Sequence, residues 1–196
     1  MDKTSTELRD FLFRGIMFDA DAKAFRGAGI RIGMDSEVEE SFLLNEVIEP
    51  FDIQQRNAAL RMSRIYALMY CFENSVREVI ADRMLDKHGT DWWSLKVPMK
   101  VKECAKTRRE AAEHEQWLQG EKTDNLGFVD FGHLTSIIIE NWSDFSDLIT
   151  NQNWLRQRMD ELEKVRNFVA HHRLLLPQES QRIEMYVTDW IRQVGV

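Results

Sequence analysis

Breakers of regular structure are scarce in this chain, which has 3 prolines and 9 glycines among 196 residues. That scarcity argues against a turn-rich sheet fold and for long helices. Cysteine is rarer still. Cys71 and Cys104 are the only two, each within an apolar-periodic stretch. Two buried, reduced thiols are expected rather than a disulfide, as suits a cytoplasmic protein. No apolar run approaches the length of a membrane span. The first residues, MDKTSTELRDFLFRG, lack the apolar core of a signal peptide. Positive charge is not in excess: 26 Lys and Arg stand against 33 Asp and Glu, for a net charge of -7. A general nucleic-acid binder carries a basic footprint. Any RNA or DNA contact must therefore be local, transient or built by assembly. Zinc-type spacings of Cys, His and acids, phosphate-binding glycine loops and dinucleotide fingerprints are missing too, so neither a metal nor a cofactor is expected.

What remains is an ordinary globular composition, 43% hydrophobic and 30% charged, arranged with helical periodicity. Residues 1–54 read as an N-terminal extension. It includes a short helix over Glu7 to Phe13, a glycine-broken stretch from Phe25 to Gly33, and an acidic run between 35 and 52 without a Lys or Arg. That run is either a solvated helix face or a surface that repels nucleic acid or docks a basic partner. Leu43, Leu44, Val47, Ile48 and Phe51 follow a rough helical spacing within it.

The main body, residues 55–196, predicts an all-α bundle of four or five helices. The first helix begins near Gln54 and carries Ile65, Leu68, Met69, Phe72, Val76, Val79, Ile80 and Met84 at intervals of three and four. His88-Gly89-Thr90 ends it. A second helix runs from Met99 to about Leu118, with Val101, Cys104, Ala105, Ala112 and Trp117 inward. Its Lys100, Lys102, Lys106, Arg108 and Arg109 make it the most basic helix. That face is either simply solvated or the surface nearest RNA. A polar connection from Gly120 to Gly132 leads to a third helix bearing Leu134, Ile137, Ile138, Trp142, Phe145 and Leu148. A fourth spans Asn151, its expected cap, to Ala170, and Pro177 marks its outer limit. The last starts near Glu179 and shows Ile183, Tyr186, Val187, Trp190 and Ile191. His88 and His114 read as exposed, and His133 as structural or surface.

The chemistry concentrates in Arg166-Asn167-Phe168-Val169-Ala170-His171, followed by His172. On a wheel the fourth helix has an apolar stripe of Leu155, Met159, Leu162, Val165 and Val169, with Arg166 in its middle. A buried arginine there is costly unless it has a partner or a task. Asn167 and His171 share another face, and Arg166 and His171 are about 140° apart in an ideal helix. A bend near the helix end, or two copies meeting at a two-fold axis, would unite them. An arginine holds a phosphate bidentately and steadies its developing charge. A histidine moves the proton of a ribose 2′-OH or of the leaving oxygen. Asparagine fixes either. Such chemistry cleaves RNA without a metal and leaves a 2′,3′-cyclic phosphate. The bland alternative pairs Arg166 with Glu163 or a carboxylate from another helix, with His171 and His172 closing the helix against its dipole. Glu73 either pairs with Arg77, four residues on, or orients Arg166 or His171 from across the bundle. His172 is either a second base or a solvent-exposed helix end.

The segment resembles the HEPN superfamily signature, an arginine followed after four to six residues by a histidine, with a polar residue commonly after the arginine. Phe72-Glu73-Asn74-Ser75-Val76-Arg77, Gly89-Thr90-Asp91-Trp92-Trp93, Phe131-Gly132-His133-Leu134 and Asn141-Trp142 extend the resemblance, from about Arg61 onward. Within the superfamily it more nearly resembles the HEPN domain of a nuclear RNA-surveillance endoribonuclease and its bacterial relatives. The resemblance implies a helical domain that forms homodimers, with both copies of the motif at the seam. It implies a metal-independent endoribonuclease used as a toxin or in antiviral defence, with an antitoxin or larger partner. Alternatively it implies an inactive RNA-binding or interaction module. One toxin branch has a tyrosine two residues after the histidine, a target of partner modification. This chain has Arg173 there, which argues against that control.

Overall fold

The computed structural model describes residues 46–115, 117, 124–149 and 151–195. The short helix at Glu7, the glycine-broken stretch, Leu43, Leu44, most of the acidic run and much of the connection after Trp117 lie outside the described residues. The chain divides into two compact units, residues 1–57 and 58–196. The described residues are all-α, with no strand among them.

Helix α1, Ile53–His88, begins where Asp52 accepts from the N–H groups of Gln54 and Gln55 at 2.8 and 3.1 Å. Its stripe of Ile65, Met69, Phe72, Val76, Ile80 and Met84 is buried, as the spacing predicts. Gly89, at φ +68°, ends it and donates to Leu85 O at 2.9 Å. Short helix α2, Trp92–Lys96, stops before Pro98. Trp92 and Trp93 meet edge to face, ring centroids 5.6 Å apart, and both are half-buried against the core.

Helix α3, Met99–His114, buries Val101 and Ala105. It stops short of the expected Leu118, and Trp117 beyond it is exposed rather than inward. A 3-10 turn, Asn125–Phe128, packs against α3. The predicted third helix is two: α4, Phe131–Glu140, and α5, Trp142–Phe145. Between them Asn141 is buried, its amide nitrogen donating to Lys96 O at 3.2 Å and Ile137 O at 2.9 Å. Those bonds, at φ −109° and ψ 34°, turn the chain where hydrophobic spacing continues.

Helix α6, Gln152–Ala170, has the predicted Asn151 cap, accepting from Asn153 and Trp154 N–H. Helix α7, Pro177–Val194, starts at Pro177 itself, because proline needs no hydrogen-bond donor in a first turn. Glu179 accepts from Leu176 N–H at 2.7 Å. On α7, Trp190 stands edge-on to Phe72 at 5.7 Å and donates to Ser75 Oγ at 3.1 Å, tying α7 to α1.

Three local expectations change. Cys71 is exposed and Cys104 half-buried. One position from Phe72 is about 100° around the helix, which takes Cys71 off the buried stripe. His88 is half-buried rather than exposed, with Nε2 2.7 Å from Asp144 Oδ2, because α5 packs over the end of α1. Arg83 joins that contact, donating to Asp144 O at 2.6 Å and pairing with Asp147.

Candidate functional site

Helix α6 positions the Arg-to-His segment. Leu155, Met159 and Leu162 are buried. Arg166 continues their line one turn further, yet it is exposed. Wheel position gives the direction a side chain faces, and the cover over that direction stops at Leu162. Arg166 therefore projects along the core-facing line but into solvent. Val165, Phe168 and Val169 on its flanks remain partly buried against the core.

Asn167 joins the neighbours. Its Oδ1 accepts from Arg166 Nη1 at 3.1 Å, and its backbone carbonyl accepts from His171 N–H at 3.2 Å. Neither Glu163 nor a carboxylate from another helix pairs with Arg166 among the described residues. The imidazoles of His171 and His172 are exposed at the carbonyl end of the helix, where positive charge is favoured.

His171 is the C-cap, and His172 follows in the left-handed region at φ +57°. His172 N–H bonds to Val169 O at 2.9 Å and Arg173 N–H to Phe168 O at 3.3 Å. This is a Schellman ending with histidine where glycine is usual. The Arg173 guanidinium lies 4.0 Å over the Phe168 ring and closes the motif. On the adjoining face Val165, Phe168, Leu175, Ile183 and Tyr186 line a cavity of about 440 Å³ between α6 and α7. At its edge Tyr186 donates to Glu161. That bond holds the Glu161 carboxyl below its ordinary range, while burial and then Glu161 push the Tyr186 phenol up.

Glu73 does not meet Arg166 or His171 within one chain. It pairs with Arg77, four residues on, and Arg77 also donates to Leu126 O at 3.1 Å and Val129 O at 3.3 Å. Helical proximity decides that partnership. The basic helix α3 is similarly engaged. Arg109 donates to Asn125 Oδ1 at 3.0 Å, Lys102 to Ser94 O at 2.8 Å, and Arg108 pairs with Asp130. The Asp130 carboxylate raises the Arg108 pKa further.

One grouping has no signature in the sequence. Cys104, Asp130 and His133 bring their donor atoms within 4.8 Å of one another. Cys104 lies 26 positions from Asp130 on another helix, so no short spacing signals it. The only local hint is an aspartate three residues before a histidine.

No curated protein and no solved structure matches the chain. The Swt1-like HEPN family model matches residues 67–195, most of the chain and the whole of α6 with its Arg-to-His segment. With an all-helical body beneath that match, the chain belongs to the Swt1-like HEPN family.

Proposed function

We propose that this protein is a metal-independent endoribonuclease acting at a composite site where two copies of α6 meet. Residues 55–196 form the catalytic domain, with residues 1–54 as an acidic extension. The observation that carries the reading is the exposure of Arg166 on the line of a buried stripe, with Asn167 holding its guanidinium. A guanidinium so exposed is hydrated and open to exchange water for a phosphate, or to face a second protomer. Leu174 and Leu176, in the segment that follows α6, are exposed apolar groups of the kind an interface covers.

In the proposed reaction Arg166 binds the scissile phosphate bidentately and stabilises the charge gathering on its oxygens. One His171 takes the proton of the ribose 2′-OH. The 2′-oxygen attacks phosphorus, the bond to the 5′-oxygen breaks, and the partner copy's histidine protonates that leaving oxygen. The products are a 2′,3′-cyclic phosphate and a free 5′-hydroxyl. Asn167 positions Arg166, and His172 supplies a second imidazole. Glu73 is left with a structural role, pairing with the Arg77 that bonds the Leu126 and Val129 carbonyls. Use as a toxin or in antiviral defence, under a regulatory partner, fits this chemistry.

The test is cleavage of mixed cellular RNA by the purified protein in EDTA, beside His171→Ala, with product ends mapped. Cyclic-phosphate ends from the wild type alone are expected. A folded wild-type dimer that cleaves nothing points instead to an inactive interaction module.

A further inference from the structure

Folding gathers three different donor types from two elements. Cys104 comes from α3, Asp130 is the N-cap of α4, and His133 lies in the first turn of α4. Asp130 Oδ2 is 4.0 Å from Cys104 Sγ and 3.7 Å from His133 Nδ1. Ordinary zinc bond lengths set tetrahedral ligands roughly 3.3–3.8 Å apart. Side-chain movements of roughly an ångström or less would close the triad.

An independent observation concerns His133. Its Nδ1 is buried and has no hydrogen-bond partner among the described residues. A buried polar atom left alone is unfavourable, and a neutral imidazole nitrogen is a metal ligand. The 3.7 Å gap to Asp130 is too long for a hydrogen bond but leaves room for an ion between them.

The Arg108 guanidinium already pairs with Asp130 Oδ2, the same oxygen that faces Cys104 and His133, so the ion would share that oxygen or displace the pair. A carboxylate accepts more than one partner, and metal-bound carboxylates commonly keep an outer hydrogen bond. A thiolate and a carboxylate neutralise a divalent ion, and the side chain of Arg108 is 43% exposed, so its own charge stays hydrated.

We propose that Cys104, Asp130 and His133 form a site for a zinc-class divalent cation. The ion ties α3 to the start of α4 and keeps one position for water or a further ligand. Thiolate with imidazole selects zinc-class ions over magnesium and calcium. No step of the proposed RNA cleavage passes through the site.

The test uses metal-free, reduced full-length protein, titrated with Zn²⁺ against a chromogenic chelator and separately with Co²⁺. Binding of ~1 Zn²⁺ per chain is expected. Cys104→Ser and His133→Ala should each weaken it by about tenfold or more, and Cys71→Ser should leave it unchanged. The Co²⁺ protein should show tetrahedral visible bands and thiolate charge transfer. Zn²⁺ should raise Tm in the wild type but not in Cys104→Ser. Equal Zn²⁺ affinity in the wild type and both ligand variants overturns the proposal, as does wild-type protein lacking the thiolate band. The cobalt spectrum needs no variant, so a variant that fails to fold leaves the test intact.

Discussion

The two ends of α6 are built to different purposes. At its start Asn151 caps the free N–H groups, and Leu155, Met159 and Leu162 fill the core. At its end the same line carries Arg166 in solvent, and the closing turn puts a histidine at φ +57°. One end uses the residues that stabilise a helix. The other carries a charge without an ion-pair partner among the described residues, and a backbone conformation that glycine would adopt more easily. Departures from local stability rules gather at sites kept for another task.

Substitutions on either side of the boundary along this stripe should have opposite consequences. Arg166→Ala should lower RNA cleavage by roughly 10²–10³-fold and leave Tm nearly unchanged, because its side chain is exposed. Leu162→Ala, one turn earlier, should cost about 2–5 kcal/mol in denaturant unfolding, because its side chain is 1% exposed. Equal losses of stability would erase the distinction between the two ends.

The two caps carry smaller effects. Asn151→Ala removes the cap and should destabilise by about 1 kcal/mol. His172→Gly should do the opposite, raising stability by up to about 1 kcal/mol through relief of the left-handed conformation. If His172 serves the site, that gain comes with slower cleavage. Paired denaturation curves and cleavage rates decide both.

The smallest effect depends on pH. Glu161 has a folded pKa below its ordinary 4.5, so its contribution is present above that value and fades as pH falls through the folded one. Tyr186 is raised above 10.0, so its contribution is present below that value and fades as pH rises through the folded one. The Tm difference between wild type and Tyr186→Phe should therefore be level near neutrality and narrow at both extremes.

Much of the helical framework was legible because apolar spacing repeats along each element. The stripe from Ile65 to Met84 and the Asn151 cap needed only local information. The break at Asn141 did not show, because its cause is a bond to Lys96, 45 positions away. Pairing of His88 with Asp144 spans 56 positions and was equally hidden. For the candidate site, the residue types and their order could be read from the sequence, but the exposure of Arg166 could not. A wheel reports orientation, whereas exposure depends on where neighbouring helices end. The Cys104, Asp130 and His133 grouping exists only once α3 lies beside α4.

The anchoring of Trp190 between Phe72 and Ser75 also sets an order of events during synthesis. The ribosome makes α1 first, and its stripe waits for a partner that comes more than a hundred residues later, across a span of 115 positions. The Arg166 to His172 segment is translated before that partner. It therefore emerges while the α1 stripe still lacks its α7 partner, although α4, on which α6 packs, has already been made.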